Sequence, residues 1–137
     1  MLKKIYRLNG KDINFLFRKQ NLISWKYFTF FYYKQYPNRK YNQFSLQLST
    51  KLSKKAVVRN FIKRSIVDYI NKKWYIKKRF WKNYYKIFIV FNKKYTLDLK
   101  ERVETVEKKL IKKEIINNFD FSFNNFIKKN EKNYKAN

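Results

Sequence analysis

Apolar positions along this chain recur in two rhythms. Ile13, Leu16 and Phe17 fall on one helical face, so a short helix is predicted over Lys11 to Lys19. Ser24 to Tyr33 is dense in aromatic and β-branched residues and predicts a strand. Pro37 and Asn38 mark Gln35 to Lys40 as a turn, with room beside it for one further strand. Phe44, Leu46 and Leu48 alternate with Ser45, Gln47 and Ser49, the period of a half-buried strand. A basic loop, Lys51 to Lys55, follows. Asn60 is then expected to cap a helix running to about Trp74. Ile87 to Phe91 is a continuous apolar run, short enough for a central strand. Asp98, with Glu101 three residues later, is expected to open a last helix whose buried stripe is Leu99, Val103, Val106 and Leu110. Beyond Asn117 the pattern dissolves into Asn, Lys and Phe.

These elements predict an α+β sandwich: one mostly antiparallel sheet with helices packed on it, in the order α-β-β-(β)-α-β-α. Residues 1–116 form the expected single domain, and 117–137 an expected frayed tail. The length of 137 residues suits one domain, and 45% hydrophobic residues can build a core. Tyr27 to Tyr33, the longest aromatic run, is far short of the ~20 residues that span a bilayer. The N-terminus lacks the apolar stretch of a secretion signal. A soluble interior protein is therefore expected, with no membrane partner.

Charge changes the picture more. The net charge is +26, far beyond what solubility needs, and it points to a polyanion. The abundance of Lys, Asn, Ile, Phe and Tyr matches an AT-rich coding bias, which accounts for much of the lysine. It does not account for where the charge sits. Residues 1–97 carry 25 Lys/Arg against 2 Asp/Glu, and residues 98–137 carry 10 against 7. Without cysteine or histidine, disulfide frameworks, Cys/His zinc sites and His- or Cys-dependent triads are excluded. A metal-dependent nuclease acting alone needs clustered carboxylates, and the basic region offers only Asp12 and Asp68. No protein-borne catalytic residue or metal site is expected.

Two of the chain's seven arginines, Arg59 and Arg64, lie in one short stretch with Asn60 and Lys63. On a helix starting at Asn60, positions 60, 63, 64 and 67 form a stripe apart from the buried Ile62, Ile66 and Ile70. Arg59 would stand at the helix entrance. Guanidinium forks, an ammonium, an amide and a helix N-terminus all suit phosphate. Lys51, Lys54 and Lys55 widen the patch. Any one of these lysines could equally be a solvated face. The scarce arginines are harder to explain that way.

The run Lys51-Leu52-Ser53-Lys54-Lys55-Ala56-Val57-Val58-Arg59-Asn60-Phe61-Ile62-Lys63-Arg64 resembles the signature of the protein subunit of bacterial ribonuclease P. Asp12 to Phe17 is similar to that family's first helix, Tyr27 to Tyr33 to its first strand and Phe44 to Ser49 to its second. Ile87 to Val90 and Asp98 to Lys113 are similar to its later strand and last helix. The resemblance covers roughly residues 2–116. It departs at Val67, where the family carries a further arginine, and at Thr50, where one of a lysine pair is lost. Val67 is expected to face the cleft, since the isoleucines already complete a buried stripe.

The resemblance implies that RNA is the catalyst and that this chain assists 5′-leader removal from precursor tRNA. Arg59, Asn60, Lys63, Arg64, Lys51, Lys54 and Lys55 would dock on the ribonuclease P RNA. Ile13, Phe17, Tyr27 and Tyr32 would line a cleft for the single-stranded leader, for which basic and aromatic side chains are suited. Mg²⁺ would be held mainly by the RNA, with an RNA-associated ion near Asn60. A left-handed βαβ crossover, a monomeric protein and a bacterial cytoplasm, or an organelle, are also implied. Composition alone would fit a ribosomal or other structural RNA-binding protein. A DNA-binding module fits the charge but shows no helix-turn-helix spacing.

Overall fold

The computed structural model describes residues 2–73, 75 and 83–136. After a single 3₁₀ turn, Lys4–Tyr6, come α1 (Gly10–Lys19), β1 (Leu22–Trp25), β2 (Phe28–Lys34) and β3 (Gln43–Gln47). Then follow α2 (Ala56–Lys72), β4 (Tyr85–Phe91), α3 (Lys93–Arg102) and α4 (Lys108–Ala136). The strands form one sheet in the order β1-β2-β4-β3. β2 is antiparallel to β1 and β4, whereas β3 runs parallel to β4, reached through α2. The α+β architecture and largely antiparallel sheet agree with the sequence pattern.

Local chemistry explains α1. The Asn9 side chain accepts from Asp12 N at 2.8 Å, and the Asp12 carboxylate accepts from Asn9 N at 3.4 Å, a reciprocal cap. Arg18 and Lys19 occupy the last turn, where cations suit the helix dipole.

The expected single strand from Ser24 to Tyr33 is instead a hairpin. Trp25 pairs with Phe28, and Lys26 turns the chain with a positive φ of 25°. The turn carries none of the glycine or asparagine that signals a two-residue hairpin, so the sequence concealed it. The additional strand is β1, which begins two residues before the run and takes in its first residues, and not an element beside Pro37.

Alternation along β2 divides the sheet into two faces. Phe28, Phe30, Phe44, Ile87 and Ile89 join Ile62, Ile66 and Ile70 of α2 and Phe119, Phe123 and Phe126 of α4 in one core. On the opposite face Leu8, Leu16 and Phe88 form a smaller core with Ile13, Phe31 and Val90 beneath α1. β4 is covered on both sides, hence its unbroken apolar run.

Three expectations about helices are corrected. α2 begins at Ala56, four residues before Asn60, and Lys55 is its cap position without a side-chain cap. Asn60 is therefore inside the helix with its side chain exposed. The helix ends at Lys72, and the expected endpoint Trp74 lies outside the described residues. Asp98 opens nothing: it lies within α3 and pairs with Arg102 at 2.7 Å. Arg102 also bonds Glu114 at 2.9 Å, joining α3 to α4. These carboxylates push the Arg102 pKa up and hold its charge. The expected stripe survives only in part, because the chain bends between α3 and α4: Leu99 is buried, Val103 and Val106 are half-buried, and Leu110 is 57% exposed.

The tail expected to fray is the larger correction. α4 continues through it, and Ile111, Ile115, Phe119, Phe123, Phe126 and Ile127 face the core. Their spacing of three to four residues is helical, but the surrounding asparagines, poor helix formers, masked it. Tyr75 joins the same wall, its hydroxyl donating to Asp120 Oδ1 at 2.8 Å. Burial, then the Asp120 carboxylate, pushes the Tyr75 phenol far above its ordinary pKa.

Candidate nucleic-acid interface

α2 carries its polar stripe over a groove of about 470 Å³. Asn60, Lys63 and Arg64 are exposed along its rim, and Arg7 reaches it from the N-terminal segment. Leu46 and Ile70 belong to the floor. Val67 is part of that floor too: it is only 9% exposed and belongs to the core. The expectation that it faces the leader cleft, apart from the buried stripe, is thus corrected. α2 shares one core with the sheet and packs on α4, so its buried arc takes in Ser65 and Val67 beside Ile66.

Arg59 differs from Arg64. It is half-buried, and its Nη1 donates to the Ser53 carbonyl at 2.7 Å. The Ser53 hydroxyl accepts from Lys55 N at 3.2 Å, so Arg59 and Ser53 shape the loop that presents Lys51, Lys54 and Lys55. All three lysines are exposed. Lys55 lies 3.7 Å from Glu104, a solvent-facing pair too weak to withhold it from a stronger anion.

The four residues expected to line one cleft divide between the two faces of the sheet. Ile13 and Phe17 are together on the sheet-facing side of α1. The Phe17 ring is 38% exposed and meets Phe31 at 4.8 Å and Phe88 at 5.3 Å, edge to face. Tyr32 points the other way, against Phe126 at 5.2 Å and Tyr85 at 5.8 Å. Burial pushes its phenol pKa up. Tyr27 packs on Tyr95 at 4.9 Å beside the main core. Neither tyrosine shares a surface with Phe17. The aromatic partners that sequence reasoning missed are Phe31 and Tyr33, which alternate with Tyr32. Tyr33 is 38% exposed, and Lys19 Nζ stands 5.9 Å from its ring centre.

α1 is held to the sheet by an ion pair. Lys86 Nζ meets Asp12 Oδ1 at 2.9 Å, with Lys86 only 5% exposed. The same ammonium lies 4.2 Å from the centre of the Tyr36 ring. Among the described residues, no group of three or more His, Cys, Asp or Glu could hold a metal ion. No described helix is long and apolar enough to cross a membrane.

The family model for Ribonuclease P matches residues 2–117. No curated protein sequence matches the chain. The fold is similar to that of the Staphylococcus aureus RNase P protein, with a TM-score of 0.63 at 17% identity, covering 87% of this chain and 93% of that one. The Thermotoga maritima RNase P protein is similar with a TM-score of 0.56 at 23% identity, covering 81% and 92%. At such identities the structural likeness speaks for the fold.

Proposed function

This chain belongs to the ribonuclease P family as a protein subunit, and we propose that it docks on the ribonuclease P RNA through α2 and its preceding loop and holds the 5′ leader of precursor tRNA beneath α1. The observation that carries this reading is the exposed Asn60, Lys63 and Arg64 rim with Arg7 opposite. Charged forks and ammoniums around one groove suit a phosphate backbone. Lys51, Lys54 and Lys55 extend the contact, and Arg59 shapes it. Hydrolysis belongs to the RNA in this reading, with the protein monomeric in the complex and working in the cytoplasm. Asn60 offers one neutral amide oxygen, which suits an outer contact to an RNA-held Mg²⁺ and not a metal site of the protein's own.

The test is to combine the full chain with the ribonuclease P RNA of its source and a precursor tRNA at low Mg²⁺. The protein should restore 5′ cleavage to an RNA that is slow alone, and should cleave nothing without it. Leader removal by RNA-free protein would reject this division of labour.

The leader site carries its own prediction. Phe17→Ala should lower the preference for precursor over mature tRNA by about 1–3 kcal/mol, the worth of one stacked base. A thermal melt must accompany it, because Phe17 also packs on Phe31 and Phe88. Equal weakening for both tRNAs would remove Phe17 from the leader site.

A further inference from the structure

We propose that the pocket between the N-terminal segment, the start of α1 and the β2–β3 turn is a second single-strand RNA subsite, where Tyr36 stacks a base and Arg7 and Arg39 hold phosphate. The proposal rests on the RNA-binding reading above and extends it to a surface beyond α2.

The pocket measures about 520 Å³, and Lys4, Arg7, Asn9, Asp12, Tyr36 and Arg39 are among its walls. Its electrostatics are one-sided. Asp12, its carboxylate, already faces Lys86 at 2.9 Å and accepts from Asn9 N, so that charge is matched. Lys4, Arg7 and Arg39 are left facing the space. Two of the chain's seven arginines meet here, in a sequence that otherwise prefers lysine.

The site is also built in advance. Arg39 Nη1 donates to Gln43 Oε1 at 3.2 Å, and Gln35 Nε2 donates to the same oxygen at 3.1 Å. Gln43 Nε2 donates in turn to the Ile5 carbonyl at 2.9 Å. Gln35 and Gln43 are 8% and 6% exposed, so a buried amide pair fixes one edge of the guanidinium. A guanidinium has five N–H donors, which leaves others for a ligand. Tyr36 is 53% exposed, with the Arg39 guanidinium carbon 4.9 Å from its ring centre. Lys86 Nζ also borders the ring, 4.2 Å from its centre. A half-exposed aromatic ring flanked by cations, with Arg39 held in place and Arg7 nearby, can stack a base on its exposed side and hold the phosphate.

Position selects RNA as the occupant. Arg7 borders both this pocket and the groove beside Asn60, Lys63 and Arg64. One strand could therefore leave α2, round the outer edge of β3 past Arg7 and end on Tyr36 without leaving a basic surface.

The experiment titrates the full chain into a labelled single-stranded oligoribonucleotide across a KCl series. The variants are Arg7→Gln, Arg39→Gln, Tyr36→Leu, Tyr36→Phe and, for α2, Arg64→Gln, each checked by thermal melt. Arg39→Gln and Arg7→Gln should each flatten the dependence of log K on log salt by about 0.7. Tyr36→Leu should weaken binding about 5-fold or more with little change in that slope, and Tyr36→Phe should bind like the parent, because stacking needs only the ring. In the assembled enzyme, a defect that grows with leader length assigns the strand to the leader. A defect already present with the RNA subunit alone assigns it to that RNA. Folded Tyr36→Leu and Arg39→Gln proteins that bind like the parent, while Arg64→Gln binds weakly, would overturn the subsite and leave the α2 reading intact. A parent chain that binds no RNA would overturn both.

Discussion

Phe123→Ala is expected to cost about 3–5 kcal/mol of stability, the usual loss for a buried phenylalanine. That is a fifth or more of the total for a marginally stable domain of about 5–15 kcal/mol. Phe123 is fully buried where three parts of the molecule meet. Its ring centre is 4.6 Å from Tyr75, 5.6 Å from Phe30 of the sheet and 6.0 Å from Phe44. Phe119 and Phe126 flank it on α4 at 5.4 and 5.6 Å. Neighbours fixed on separate elements cannot collapse into the space, so the cavity remains. Phe121, two residues away and 51% exposed, is the comparison; among the described residues its ring meets only that of Trp25, at 6.0 Å. Phe121→Ser should cost no more than about 1.5 kcal/mol, well below Phe123→Ala. Urea midpoints compare the two. A Phe123→Ala protein as stable as the parent would mean that α4 beyond Asn117 does not close the core.

Arg59→Ala and Arg64→Ala should separate two roles. Arg64 is exposed on the α2 rim, and its loss should weaken RNA assembly while the melting temperature holds. Arg59 ties the Ser53 carbonyl, so its loss should weaken assembly and also cost about 1–2 kcal/mol of stability. The double variant should flatten the salt dependence of log K by about 0.9 for duplex-like RNA, the one phosphate contact of Arg64, and by more only if the loop lysines shaped by Arg59 also lose theirs. Filter binding across a KCl series and a thermal melt measure both quantities. An unchanged salt slope with a large fall in melting temperature would make the pair structural.

The basic stretch was legible because charge and residue scarcity are properties of the sequence. Arg59, Asn60, Lys63 and Arg64 stand out whatever the fold. What their side chains do was not legible, since one helix start displaced by four residues moves Asn60 from cap to exposed rim and gives Arg59 a carbonyl to hold. Tyr32 and Phe31 make the same point in β2. Both are aromatic in an aromatic run, and only the register at Phe31↔Phe88 and Tyr32↔Ile87 shows which of them lies under α1.

By itself the sequence determined the α+β class, the positions of α1, β3 and β4, the basic surface and the absence of cysteine and histidine chemistry. These depend on local periodicity and composition, which neighbours along the chain carry. Only the tertiary structure decided that residues beyond 117 close the core, that Val67 is buried and that Tyr27 and Tyr32 belong to a different face from Phe17. It alone joined Arg7 to Arg39 and Asp12 to Lys86. Each of these depends on contacts between residues far apart in sequence, and burial is set by what packs on a face, which no local pattern records.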